Sequence, residues 1–169
     1  VHGEKVTIAG LGRTAVALAR LLVREGAEPF VSELKHAAKH EELARLLDDL
    51  GVSWEWGGHT DRALEKCALV IPSPGVPPSS PLLQRARALD IPVMGEMEFA
   101  SRYSPSRILA LTGTNGKTTT TELARALVAA CGHAVLLAGN NEMPLSAAVM
   151  AEPAPEYIVL EVSSYQLEL

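Results

Sequence analysis

Cysteine is scarce in this chain of 169 residues: Cys67 and Cys131 are its only two, far apart and without metal-ligand spacing. Free thiols in a reducing cytosol fit that usage better than a disulfide framework or a zinc site. The five histidines, His2, His36, His40, His59 and His133, also lack metal spacing and read as surface or turn residues. No Ser/His/Asp or Cys/His set for nucleophilic catalysis stands out. No apolar run approaches the roughly 20 residues that a membrane-spanning helix needs. The opening residues lack a signal-peptide layout, and the first residue is Val rather than Met. Positive charge is in deficit, with 15 Lys and Arg against 20 Asp and Glu and a net charge of -5. That speaks against a nucleic-acid or anionic-membrane surface, so an anionic ligand must be held by local devices rather than by the overall field. Aromatic content is only 4%, and Trp54 and Trp56 alternate on a strand as packing residues.

What is present is an ordinary globular composition, 47% hydrophobic and 21% charged. The length suits one large domain, or one small domain plus part of another. Apolar strand-like runs at 6–11, 29–32, 52–56, 69–71 and 92–94 alternate with helix-period segments at 14–26, 40–51, 61–67, 81–89 and 96–103. That alternation predicts an α/β fold with a parallel sheet covered on both faces. The Ser-Pro-Ser breaker at 104–106 marks a domain boundary, giving a first domain over 1–103 and a second over 107–169. The pattern then restarts, with strands at 107–111, 134–137 and 157–160 and helices at 117–130 and 144–150. Only nine residues follow the last strand, so a longer protein with an incomplete second domain is expected.

Two strand–glycine–helix openings carry the chemistry. The second reads Thr112-Gly113-Thr114-Asn115-Gly116-Lys117-Thr118. Glycines let backbone N–H groups turn inward around phosphate oxygens, and the helix N-terminus adds the positive end of its dipole. Lys117 is placed for β- and γ-phosphates and the Thr118 hydroxyl for Mg²⁺. The strict P-loop pattern has Gly where this chain has Leu111, so this is a variant loop. Glu161 ends the strand at 157–160, where an acid beside a phosphate loop can hold Mg²⁺ directly or through water. Alone it would be a solvated strand-end glutamate. Asn140 lies on the same rim, with an Asx turn or a helix cap as its plainer role.

The first opening, Gly10-Leu11-Gly12-Arg13-Thr14-Ala15, reads G-x-G-x-x-A after a strand and can cradle a pyrophosphate. Glu33 follows 21 residues after Gly12, where a Rossmann-like domain places its ribose-binding acid. An NAD-dependent dehydrogenase would use the same residues, and a ligand-free glycine turn has the same spelling. A dehydrogenase has no use for the second loop, however. Two phosphate loops in one chain point instead to two phosphorylated ligands. Ser73-Pro74-Gly75-Val76-Pro77-Pro78 follows the fourth strand on the same carboxyl edge, as a wall of the ligand crevice or as a simple turn.

These motifs resemble those of the Mur ligase family. The loop at 112–118 resembles its ATP loop, T-G-T-N-G-K-[ST]. The loops at 10–14 and 73–76, Gly139-Asn140, the Glu-x-Glu-Phe stretch at 96–99 and Leu-Glu-Val-Ser-Ser-Tyr-Gln-Leu at 160–167 follow in the order of its D-glutamate-adding branch. The resemblance covers essentially the whole chain. It implies a UDP-binding domain over 1–103, a linker at 104–106 and the first part of an ATP-binding domain over 107–169. The remainder and a C-terminal domain would lie beyond Leu169, with the carbamylated lysine, the adenine contacts and the D-glutamate pocket. It also implies a cytoplasmic, monomeric ligase of peptidoglycan synthesis. Such an enzyme uses ATP and Mg²⁺ to join D-glutamate to UDP-N-acetylmuramoyl-L-alanine through an acyl phosphate, and this piece alone would be inactive. Gly12, Arg13, Thr14, Glu33, Ser73 and Gly75 would meet the UDP portion. Gly113, Thr114, Asn115, Gly116, Lys117 and Thr118 would hold ATP, with Thr118 and Glu161 on the metal. Asn140, Ser163 and Gln166 would face the reacting end. The chain departs from the family at Asn141 and Glu142, where a small apolar residue and Gly are usual, and at Glu33, where Asp is frequent. Another Mur-type ligase and a non-catalytic UDP-sugar-binding module are the alternatives.

Overall fold

Alternating strands and helices build two parallel sheets, one in each half of the chain. The computed structural model describes residues 1–35, 41–139 and 143–167. The chain divides into two compact units, Val1–Glu96 and Met97–Glu168. The division lies upstream of the Ser-Pro-Ser cluster, which forms a tight turn into the next strand: Ser104 Oγ accepts from Ser106 N and donates to Ser106 O.

The first unit runs β1 (Lys5–Ala9), α1 (Arg13–Arg24), β2 (Glu28–Ser32), α2 (Glu41–Asp49), β3 (Ser53–Glu55), a 3₁₀ turn (Asp61–Ala63), β4 (Cys67–Pro72) and α3 (Pro81–Ala88). Its sheet has the order β3-β2-β1-β4, and every pairing is parallel. The register sets Ala9 beside Ser32 and Pro72, and Ser32 beside Glu55. The carboxyl ends of all four strands therefore share one edge. Covered on both faces, β1 is almost wholly buried, which is why its sequence is apolar without alternation. α1 lays Leu18, Leu21 and Leu22 into the core at helical spacing, and all three are fully buried. Each such leucine contributes about 1.5–3 kcal/mol by leaving water. Ala9, Phe30, Val70, Leu82, Leu83 and Ala86 form a second apolar cluster under α3.

Two expectations are corrected here. The strand at 92–94 is one parallel bridge, Val70 to Val93, because Pro92 has no N–H and contributes only its carbonyl, to Val70 N at 2.9 Å. The helix at 61–67 is a single 3₁₀ turn, stopped because Lys66 takes a positive φ of 54° and Cys67 enters β4.

The second unit holds α4 from Met97 onward (the helix runs Glu96–Ser101), β5 (Arg107–Leu111), α5 (Lys117–Ala130), β6 (Val135–Gly139), α6 (Leu145–Ala148), β7 (Tyr157–Glu161) and a closing 3₁₀ turn (Ser164–Leu167). Its sheet has the order β5-β7-β6, all parallel, so the last strand in sequence lies in the middle. β7 is buried accordingly. Leu111 and Gly139 both pair with Glu161 in register. The strand that leads into the glycine loop at 112–116, the β6 end and Glu161 thus meet on one edge. Among the described residues no helix is long and apolar enough to cross a membrane.

Candidate functional site

In the second unit, β5 delivers the chain into the loop at 112–116, which is exposed along its whole length. Gly116, at φ 73°, turns the loop into α5 as its N-cap, and among the described residues no side chain caps the helix. The first-turn amides of α5 therefore have no capping partner from their own N-cap residue, and an anion suits that position. Lys117 Nζ donates to Gly113 O at 2.8 Å and so curls over the loop it follows. Thr118 is exposed, and its hydroxyl makes no hydrogen bond among the described residues.

Glu161 is almost fully buried, with 5% of its surface exposed. Burying a carboxylate is costly unless something compensates its charge. Among the described residues its one side-chain hydrogen bond comes from Thr121 Oγ1, long at 3.5 Å. That hydroxyl has a single hydrogen and better acceptors in Thr118 O at 2.9 Å and Lys117 O at 3.0 Å. A buried acid with so weak a partner, on the edge where the glycine loop at 112–116 begins, fits a cation. The donor set, one carboxylate and one hydroxyl, is of the hard-oxygen kind that suits Mg²⁺. Sequence reasoning missed Thr121, and helix periodicity from Lys117 would have found it, since one turn separates the two.

Gly139 backs Glu161. A Cβ there would stand 2.9 Å from the N and C of Glu161 and closer still to its O, at φ 114°. Only glycine lets β6 approach β7 at this point. Asn140, Asn141 and Glu142 lie outside the described residues, as do His36 and His40. Ser163 and Gln166 are brought together with each other: Gln166 Oε1 accepts from Ser163 N at 2.9 Å and from Ser163 Oγ at 2.7 Å. This is half of an S-x-x-Q capping box that starts the closing 3₁₀ turn.

The first unit carries the second loop. Gly12 is the extended N-cap of α1, which no side chain caps, so its first-turn amides suit an anion. Arg13 and Gly75 are exposed, and Thr14 is half-buried. Glu33 Oε2 accepts from Leu11 N at 2.7 Å and Oε1 from Lys35 N at 2.8 Å. The predicted ribose acid therefore also holds the glycine loop. Ser73 clamps the same loop from β4: its N–H donates to Ala9 O at 2.8 Å and its hydroxyl to Gly10 O at 3.2 Å. A Cβ on Gly10 would meet Val76 at 3.0 Å and Ser73 at 3.3 Å, so the two loops interlock only around a glycine.

Beside Glu33 stands a polar cluster that the sequence did not reveal. Ser32 Oγ is 2.7 Å from Glu55 Oε1 and 2.8 Å from His59 Nδ1. Thr60 donates through its N–H and its hydroxyl to the Glu55 carboxylate. Partial burial pushes the Glu55 carboxyl upward. Hydrogen bonds from Thr60 and Ser32, with Arg62 nearby, outweigh that and hold it below the usual carboxylate range. Burial pushes the His59 imidazole below its ordinary range and Arg85 adds to this, against the opposing pull of Glu55 and Glu33. His59, expected at the surface, is thus a bonded, half-buried residue, because Gly57 and Gly58 turn the chain back over the β2 and β3 ends. Trp54 and Trp56 pack ring against ring, 4.4 Å between centroids.

Comparison with known proteins places both halves of the chain in one family. Residues 4–95 match the Mur ligase MurD-like N-terminal domain, and residues 111–169 match the Mur ligase middle domain. The chain is 43% identical to the UDP-N-acetylmuramoylalanine–D-glutamate ligase of Chlorobaculum tepidum, over 99% of this chain and 36% of that relative. It is 39% identical to the enzyme of the same name from Koribacter versatilis, over 99% of this chain and 37% of the relative. The chain thus spans little more than a third of the length of these relatives. Among solved structures, the UDP-N-acetylmuramate-alanine ligase MurC of Thermotoga maritima has a TM-score of 0.54 at 21% identity, covering 94% of this chain and 37% of that one. A murein peptide ligase of Psychrobacter arcticus reaches 0.57 at 17% identity, over 97% of this chain and 39% of that one. At such identities these two speak for the fold.

Proposed function

Because this chain belongs to the Mur ligase family, we propose that it forms the front portion of an ATP-dependent ligase adding D-glutamate to UDP-N-acetylmuramoyl-L-alanine in cytoplasmic peptidoglycan synthesis. Likeness to relatives bearing that name supports the choice of amino acid and acceptor. The observation that carries the chemistry is the strand-end edge of the second unit, where the phosphate loop follows Leu111 and the nearly buried Glu161 pairs beside it.

The reaction brings two anions together. The terminal carboxylate of the UDP-linked substrate attacks the γ-phosphorus of ATP, the bond to the β-bridging oxygen breaks, and ADP leaves an acyl phosphate. The amine of D-glutamate, having lost a proton, then attacks the acyl carbon. The amide forms and inorganic phosphate departs. Charge neutralisation is the main task in such a sequence. In this reading Gly113 to Gly116 and the first turn of α5 bind the phosphates through backbone N–H groups. Lys117 leaves Gly113 O to reach the β- and γ-oxygens. Thr118 and Glu161 would hold Mg²⁺, which supplies further positive charge when bound. Gly12, Arg13, Thr14 and Gly75 border the diphosphate of the other substrate, and Glu33 and Ser73 hold its loop in shape. No side-chain nucleophile is required.

Titration calorimetry of the full-length protein with UDP, Mg²⁺-ATP and NAD tests the reading, together with an assay for amide formation. Binding of UDP and of ATP with D-glutamate-dependent product is the expected result. NAD binding, or UDP binding without any ATP effect, would refute it in favour of a dehydrogenase or a sugar-nucleotide-binding module. Product with a different amino acid would move the assignment to another Mur-type ligase.

A further inference from the structure

The polar cluster at the β2 and β3 ends is not used by the reaction described above, yet it lies on the strand-end edge that carries the glycine loop. Ser32 and Glu55 are paired in register as the last residues of their strands, and Glu33 N donates to Glu55 O at 2.9 Å. In parallel α/β sheets, ligands bind outside this edge.

The proton count fixes the histidine. Ser32 has one hydroxyl hydrogen and two neighbours, Glu55 Oε1 and His59 Nδ1. The Glu55 carboxylate, already receiving Thr60, only accepts. Ser32 must therefore donate to Glu55, and His59 Nδ1 must carry a hydrogen and donate to Ser32 Oγ. The neutral ring is then the Nδ1–H tautomer, with a lone pair on Nε2. Nε2 has no hydrogen bond among the described residues. Arg85 fixes the backbone here, donating from Nη1 to His59 O at 3.1 Å while Nη2 binds Asp61.

We propose that His59 is a nucleoside-recognising residue of the first unit, offering Nε2 as an acceptor to a hydrogen-bond donor of the bound nucleoside, a ribose hydroxyl or the imide N–H of the base. The inference rests on the UDP-binding reading of this unit. Two features favour the neutral, donor-bearing end of the nucleotide over its phosphates. Glu33 and Glu55 flank the ring, so this part of the edge disfavours an anion. The open amides of the α1 N-terminus, by contrast, lie at the glycine loop. Protonation leaves the Nδ1–H bond to Ser32 intact and converts Nε2 from acceptor to donor. The charged and titratable groups around the ring are Glu33, Glu55, Asp61 and Arg85, from the ends of β2 and β3, the 3₁₀ turn and α3.

The test is UDP binding by the full-length protein and two variants, with ATP binding as a check on integrity. In His59→Asn the amide reproduces the Nδ1 donor but not the reach of Nε2. In His59→Gln the amide reaches the Nε2 position and does not titrate. We expect His59→Asn to bind UDP about 3- to 10-fold more weakly, as for one lost hydrogen bond. His59→Gln should keep most of the affinity and lose the part of the wild-type weakening that sets in below pH 6.5. CDP, lacking the imide N–H, and 2′-deoxy-UDP, lacking one ribose hydroxyl, identify the donor: whichever one His59→Asn no longer weakens is missing the partner. Undiminished UDP affinity in His59→Asn overturns the inference and leaves the UDP reading standing. Absence of UDP binding by the wild type overturns both.

Discussion

The backbone N–H of Leu11 donates to Glu33 Oε2 at 2.7 Å across the ends of β1 and β2. One side chain thus spans two strand ends, and its other oxygen takes Lys35 N. Removing it leaves two amides to find water. Glu33→Ala should lower UDP affinity about tenfold or more and cost about 1–3 kcal/mol of stability, since hydrogen bonds to a charged acceptor are worth more than neutral ones. Glu33→Gln, which keeps one acceptor oxygen, should fall between. Calorimetry and urea denaturation decide; equal UDP binding by wild type and Glu33→Ala would remove this clasp from the site.

Among the described residues Lys117 Nζ bonds only to its own loop. Lys117→Ala should leave the melting temperature nearly unchanged and reduce amide formation by at least about 100-fold, the scale for losing one charge-stabilising group at a reacting centre. Single-turnover measurement of ADP release reads the first chemical step. A near-normal rate would contradict the assignment of the loop.

Glu161→Gln preserves the shape of a nearly buried side chain and removes its charge. Mg²⁺-ATP should bind more weakly and need more Mg²⁺ for half-maximal activity, with the fold retained. An unchanged Mg²⁺ requirement would place the cation elsewhere.

Gly139→Ala forces a methyl group against the β7 backbone. Overpacking and a positive φ together should cost at least about 2 kcal/mol. The loss should appear as a lower denaturation midpoint, with activity falling in parallel as Glu161 is pushed out of line. A variant as stable as wild type would show that β6 and β7 can separate without penalty.

Acid should destabilise the first unit in two stages. Burial holds the folded His59 imidazole below its ordinary 6.5, so beneath that value the unfolded chain takes up the proton first and stability falls until the folded ring is protonated too. Hydrogen bonds from Thr60 and Ser32 hold the folded Glu55 carboxyl below its ordinary 4.5 against the opposing effect of burial, so its contribution is complete above that value and is lost as the pH drops through the folded pKa. Urea denaturation at several pH values should show less acid loss near pH 6 in His59→Gln, and less below pH 4.5 in Glu55→Gln. Profiles parallel to wild type would count against both shifts.

Much of this was legible in the sequence, for a physical reason. Buried parallel strands need continuous apolar runs, and strand-to-helix turns of this kind need glycines at fixed offsets, so β1, β7 and both glycine loops announce themselves, whereas β5 has the same apolar spelling but is exposed or half-buried. What escaped depends on pairings distant in sequence. Ser32, Glu55 and His59 look like unrelated polar residues until the β2–β3 register brings them together. Thr121 reads as one more helix threonine until β7 sets Glu161 beside it. Pro92 deceived in the opposite sense, its apolar neighbours imitating a strand that its missing N–H prevents.

The central place of β7 has a kinetic consequence. Among the described residues β5 and β6 share no pairing, and Arg107 must wait for Tyr157, fifty residues later, before its strand gains its described neighbour. During synthesis, β1 to β4 precede β5, whereas β5 and β6 meet their described partner only when residues 157–161 leave the ribosome. The glycine loop at 112–116 therefore acquires its supporting edge late. A pause in translation just before Tyr157 would expose the unpaired β5 and β6 to premature association, while the first unit would already be folded.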